Sequence, residues 1–164
     1  MSAAPAEGRF EACLQTVLAL EGGYVDDPRD RGGPTNMGVT LAAYSRALGR
    51  PATPDSLRDM TLGEAASLYR AFYWRPAGCE ALAAGLDLMA FDAAVNMGVG
   101  EARRLLATAG AGSASERIGR MSAARAARYR TLAGFPAFGA GWLKRVDTVT
   151  AEALAAARAQ EATA

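Results

Sequence analysis

The apolar positions near the start of the chain recur with the period of an α-helix. They are Phe10, Cys13, Leu14, Val17 and Leu18. This spacing places them on one face, so the sequence predicts an amphipathic helix over about residues 8–21. Glu21 continues the same face in the last turn, directly before Gly22-Gly23, where glycine can adopt the left-handed conformation that ends a helix. A carboxylate on the core-facing side of a helix is unfavourable unless it is paired or protonated.

Two physical effects are expected to act on the Glu21 side chain. Burial disfavours the ionised form of a carboxyl group, and the negative end of the helix dipole opposes a negative charge in the last turn. Both favour the protonated form, which a general acid needs in order to donate a proton near neutral pH. The alternative is a structural carboxylate whose hydrogen bonds are satisfied inside the core.

The segment after Glu21 interrupts the helical pattern. Residues 22–39 are rich in Gly, Pro, Asp and Asn and show no helical period, which predicts a loop or short irregular strands. Helices are expected to resume beyond it, with Thr40, Thr53 and Thr61 as their N-terminal capping residues.

The most apolar stretch of the chain covers residues 86–97 and predicts a central, buried helix. Asp92 and Asn96 lie one turn apart on it, which favours a structural hydrogen-bond network, with direct sugar contact as the alternative. Further helices are predicted at about 101–109, at 115–133 and from about residue 136 onward. The fold class expected from this pattern is mainly α.

Composition narrows the chemistry that the chain can perform. The 164 residues are 51% hydrophobic and 21% charged, which is enough apolar material for one core. The chain contains no histidine, which excludes Ser-His-Asp and Cys-His catalysis and zinc sites that use histidine. Cys13 and Cys79 are far apart in sequence, and Cys13 lies on the apolar stripe, so we interpret it as core filler.

The net charge of +1 is unevenly distributed, with an acidic excess in the first 100 residues and a basic excess in the rest. This asymmetry would suit a polyanionic polymer or surface, although a solvated arginine-rich helix face is an equal alternative. The N-terminus lacks the basic start and apolar stretch of a signal peptide, and no window is apolar enough to span a membrane. We expect synthesis in the cytoplasm without a signal peptide.

A longer set of positions beginning at Glu21 carries a family resemblance. They are Glu21-Gly22-Gly23-Tyr24-Val25, Asp27-Pro28, Asp30, Gly32-Gly33, Thr35-Asn36, Gly38-Val39-Thr40, Tyr69, Tyr73-Trp74 and Phe91-Asp92-Ala93-Ala94-Val95-Asn96-Met97-Gly98. This set resembles the signature of glycoside hydrolase family 108, the bacterial and phage N-acetylmuramidases. Arg128-Tyr129 and residues 141–146 resemble the predicted peptidoglycan-binding region that follows the catalytic part in that family. Arg31 is a departure, since the family often has proline there.

The resemblance implies a compact lysozyme-like helical domain with a short irregular loop or β excursion after the first helix. Residues 8–98 would form the muramidase catalytic region. Residues 99–160 would form a helical, peptidoglycan-binding-like region packed on it as one unit. The implied activity is cleavage of the β-1,4 bond between N-acetylmuramic acid and N-acetylglucosamine, with Glu21 as general acid and no metal or cofactor. The resemblance also implies an endolysin-like enzyme, and a prophage, a phage-like particle and a secretion system all stay open as its context.

Glycoside hydrolysis needs an acid for the leaving oxygen and a second group that stabilises the transition state or activates water. The order of Glu21, Asp30 and Thr35 also resembles the Glu/Asp/Thr arrangement of phage-type lysozymes. That resemblance makes Asp30 the second carboxylate and Thr35 the residue that holds the water, and it favours inversion. The alternatives are that Asp30 caps the turn by accepting from backbone N–H groups and that Thr35 is an ordinary turn residue. The candidates for substrate binding are Tyr24, Asn36, Trp74 and Asn96, although aromatic residues at helical spacing usually belong to the core.

Two other functions stay open at this stage. A lytic transglycosylase could use the same glutamate without a second carboxylate, and a non-catalytic module could bind peptidoglycan or assist secretion. The expected partner is peptidoglycan, with a holin or secretion system for export, no nucleic acid, no integral membrane segment and a monomeric state. Action in the periplasm or cell wall would then follow holin- or secretion-dependent release.

Overall fold

The computed structural model describes residues 6–26 and 33–163, and these residues form a mainly helical protein. In chain order the elements are α1 Ala6–Leu20, β1 Thr35–Asn36, β2 Val39–Thr40, α2 Leu41–Leu48, α3 Pro54–Arg58, α4 Leu62–Tyr69, a π-helical turn Arg70–Trp74, α5 Arg75–Ala77, a 3-10 turn Cys79–Ala81, α6 Leu86–Met97, α7 Val99–Thr108, α8 Ala114–Arg130 and α9 Phe135–Glu161.

Helix α1 follows the predicted amphipathic pattern. Its apolar side chains Phe10, Leu14 and Val17 are buried in the core. The helix ends at Leu20, and the Glu21 backbone N–H still donates to the Leu18 carbonyl at 3.2 Å. The prediction of a helix that stops beside Glu21 is therefore confirmed.

The excursion after α1 contains a small antiparallel hairpin. Thr35 pairs with Thr40 and Asn36 pairs with Val39. The turn residues Met37 and Gly38 have φ of 47° and 73°, and positive φ at both central positions is the pattern of a type I′ turn. A further bridge between Val25 and Thr35 ties the hairpin to the segment that follows Glu21.

Side-chain capping starts the next three helices as the sequence predicted. The Thr40 hydroxyl accepts from the backbone N–H of α2, and Thr53 and Thr61 each form a reciprocal capping box with the helix that they begin. Helix α4 then continues into the π-helical turn Arg70–Trp74, which the sequence pattern did not predict.

Helix α6 is the central element, and α1, α7, α8 and α9 pack against it. Most of its residues are buried, and the Phe91 ring lies 5.8 Å from that of Phe10 and 5.4 Å from that of Trp74. Cys13 and Cys79 are buried free thiols, which agrees with the interpretation of Cys13 as core filler. Among the described residues, no helix is both long enough and apolar enough to cross a membrane.

Candidate active site

Glu21 lies at the end of α1 with its side chain 20% exposed. Its Oε1 atom accepts a hydrogen bond of 2.6 Å from Nη2 of Arg145, which α9 contributes from the other end of the chain. The sequence pattern predicts a core-facing carboxylate that must be either paired or protonated. Folding brings a guanidinium to this carboxylate, so Glu21 is paired.

Arg145 is itself clamped by Asp92 of α6. Its Nε and Nη2 atoms donate to Asp92 Oδ1 at 3.0 and 2.8 Å. Burial acts to lower the pKa of Arg145, but hydrogen bonds and negative charges from Asp92 and Glu21 outweigh it and raise that pKa above its ordinary value. The guanidinium therefore stays charged while it bridges the two carboxylates.

A second arginine completes the network behind Asp92. Nη1 of Arg125, on α8, donates to Asp92 Oδ2 at 2.6 Å, and both side chains are fully buried. Nη2 of Arg125 donates to the Tyr129 hydroxyl at 3.2 Å and to Asn96 Oδ1 at 3.5 Å, and the Tyr129 hydroxyl also donates to Asn96. The predicted hydrogen-bond network at Asp92 and Asn96 is confirmed, and it extends to Glu21 through alternating charges.

The hairpin turn closes the other side of Glu21. The Tyr69 hydroxyl donates to the Met37 carbonyl at 2.8 Å, which holds the turn in place. A Cβ atom at Gly38 would lie 2.9 Å from Glu21 Oε2 and would overlap the Tyr69 hydroxyl. Only glycine therefore allows the turn to approach the carboxylate this closely.

Replacement of Gly38 by alanine should lower both stability and activity. The positive φ alone disfavours alanine by about 1–2 kcal/mol, and the overlap with Tyr69 and Glu21 adds to it. Gly49→Ala is the matched control, because Gly49 has a φ of 66° with no atom near its Cβ position. Chemical denaturation and an activity assay of both variants check this. Equal effects of the two substitutions would show that close approach to Glu21 is unimportant.

Two tyrosines of the α4 region lie near Glu21. Burial raises the pKa of Tyr69, and the negative charge of Glu21 raises it further. The pKa of Tyr73 is raised by the same two causes, with Arg46 of α2 opposing them. Tyr73 is partly exposed beside the carboxylate. Its position one helical turn after Tyr69 is the sequence signal by which it could have been chosen as a site residue.

Some of the predicted substrate-binding residues are structural instead. Trp74 is 1% exposed and packs its ring edge-on against Phe10 at 5.3 Å, so its predicted contact with substrate is wrong. Asn36 is also buried, and its amide nitrogen donates to the carbonyls of Leu57 at 2.9 Å and Arg58 at 3.1 Å. This side chain ties β1 to α3 rather than facing a substrate.

The remaining predicted residues have different placements. Tyr24 is partly exposed, with the Arg58 guanidinium 4.5 Å from its ring centre and its hydroxyl donating to Asp26 at 3.3 Å. Thr35 lies on β1, bonded through its backbone to Val25. Asp30 lies outside the described residues.

A depression beside Arg145 contains the remaining candidate, Asn96. This depression has a volume of about 290 Å³. Its lining consists of Leu20, Asn96, Gly141, Trp142, Lys144, Arg145 and Thr148. A larger depression of about 630 Å³ lies between α2 and α4 and includes neither Glu21 nor Arg145. We place the candidate site beside the smaller one, because its lining includes Arg145, the residue that binds Glu21. No cluster of carboxylates and thiols suited to a metal ion occurs within residues 6–26 and 33–163.

Two comparisons with known proteins, one with family models and one with solved structures, found matches. The family model described as Glycosyl hydrolase 108 matches residues 14–98. The fold is also similar to that in the "Structure of Brucella abortus SagA", with 34% sequence identity, a TM-score of 0.81, and coverage of 93% of this chain and 97% of that chain. No curated protein matches the chain. The chain therefore belongs to glycosyl hydrolase family 108 and is a glycosidase of a peptidoglycan-hydrolase family, with the expected mainly helical, lysozyme-like fold.

Proposed function

We propose that the protein hydrolyses the β-1,4 bond between N-acetylmuramic acid and N-acetylglucosamine in peptidoglycan, with Glu21 as general acid. The observation that carries this proposal is the placement of the Glu21 carboxylate, which is fixed by Arg145 and still open to solvent. A general acid must be held in position and must also reach the leaving oxygen.

The choice of Glu21 over its neighbour Asp92 follows from exposure. Both carboxylates bind Arg145, but the Asp92 side chain is completely buried and is also held by Arg125. A substrate oxygen cannot approach Asp92 without dismantling the core. Glu21 is therefore the member of the network that can exchange a proton with a bound sugar.

The second catalytic group in this proposal is Asp30, with Thr35 holding the attacking water. Thr35 lies on β1 of the hairpin whose turn approaches Glu21, which supports its place near the reaction. A threonine hydroxyl can both donate and accept, as a bound water requires. Direct attack by that water would invert the configuration at the anomeric carbon.

Sugar binding is assigned to exposed groups around Glu21. Tyr24 and Tyr73 each present a partly exposed ring, and a ring face of this kind suits the apolar face of a pyranose. Asn96 adds an amide at the depression beside Arg145. Trp74 is left out of the proposed sugar contacts because its side chain is buried.

Product analysis tests this function directly. Purified peptidoglycan digested in ¹⁸O-labelled water should yield soluble fragments with labelled, reducing N-acetylmuramic acid ends by mass spectrometry. Unlabelled anhydro ends would instead identify a lytic transglycosylase. Binding to sacculi without soluble products would identify a non-catalytic module. NMR of freshly formed ends would show whether the configuration inverts.

A further inference from the structure

We propose that Arg145 is the positioning residue of the catalytic acid, and that α9 thereby completes the site. The inference rests on the proposed role of Glu21 and assigns a function to a part of the chain that the family match at residues 14–98 does not cover. Glu21 and Arg145 are 124 positions apart in sequence, and their atoms meet at 2.6 Å.

The guanidinium contacts both carboxylates at once. Nε and Nη2 form a fork on Asp92, and Nη2 also donates to Glu21 Oε1. Arginine is suited to this because its donors lie in one rigid plane, whereas the ammonium group of lysine is a point charge on a flexible stem. The two hydrogen bonds to Asp92 hold the guanidinium plane of Arg145 in one orientation. That orientation determines where Glu21 Oε1 can accept from Nη2.

The anchor behind Arg145 is rigid. Asp92 is fully buried on the central helix α6 and is held from α8 by Arg125, which is also fully buried. Three helices therefore determine the position of one catalytic oxygen. The hairpin turn at Gly38 limits the second oxygen, Oε2, from the opposite side.

The charged and titratable groups around Glu21 come from several elements. They are Arg145 on α9, Asp92 on α6, Tyr69 on α4 and Tyr73 in the π-helical turn. The position of the carboxylate therefore depends on contacts from α4, the π-helical turn, α6 and α9.

The experiment compares Arg145→Met, Arg145→Lys and wild type on a soluble glycan-strand fragment. We expect kcat to fall by about 10²-fold in Arg145→Met, as for a misplaced catalytic group, with KM much less affected. Arg145→Lys keeps the charge but not the fork, so its kcat should also be reduced while its KM stays near that of wild type. Arg158→Met, at an exposed position near the end of α9, is the control and should leave both unchanged.

Folding is monitored by circular dichroism and melting. If Arg145→Met does not fold, Arg145→Lys decides: a reduced kcat at wild-type KM supports the proposal, and a wild-type kcat overturns it. A folded Arg145→Met with an unchanged kcat also overturns it. The role of Glu21 is tested separately, because an active Glu21→Gln variant refutes the proposed acid whatever the Arg145 variants show.

Discussion

Glu21→Gln is expected to lose wall-degrading activity by at least about 10²–10⁴-fold, the usual contribution of a general acid. The amide has nearly the same shape as the acid but cannot donate a proton to the leaving oxygen. Its carbonyl oxygen can still accept from Arg145, and Arg145 keeps its fork on Asp92. The fold should therefore persist, with a melting temperature close to that of wild type or higher. The measurement is release of soluble fragments from purified peptidoglycan.

Glu161→Gln is the matched control for this prediction. It makes the same chemical change at an exposed position at the end of α9. Its activity should equal that of wild type. Activity of Glu21→Gln within a few-fold of wild type would remove Glu21 from the mechanism, and loss of helical circular dichroism would instead indicate a structural role for this carboxylate.

Asp92→Ala should produce the largest loss of stability among single substitutions in the charge network. Asp92 is fully buried between Arg125 and Arg145, and its removal leaves the buried Arg125 guanidinium without a counter-charge. Breaking a buried ion pair from one side typically lowers the free energy of unfolding by about 3–5 kcal/mol. Urea denaturation at neutral pH measures this change.

The control is Asp147→Ala, which removes an exposed carboxylate from α9. Surface substitutions of this type change the free energy of unfolding by about 0.5 kcal/mol or less. If Asp92→Ala differs from this control by under about 1 kcal/mol, the network does not stabilise the fold as the burial of its members implies. Where Asp92→Ala fails to express, Asp92→Asn provides the same comparison with the volume retained.

The sequence was sufficient to predict features that depend on near neighbours along the chain. The apolar stripe of α1, the break after Glu21 and the threonine caps follow from periods and motifs of a few residues. The apolar run at residues 86–97 likewise identified the central helix, and Asp92 and Asn96 were recognisable as network members because they lie one turn apart.

Only the tertiary structure decided which groups surround Glu21. Helical periodicity says that a side chain faces the core but not which residue it meets there. Arg145 reaches Glu21 and Asp92 because α9 packs against α6, and Arg125 joins them from α8. Trp74 was predicted to contact substrate because it lies in a family motif, but packing places its side chain in the core. The sequence by itself determined most of the helices and the candidate acid Glu21, and long-range packing determined which charged groups surround its carboxylate.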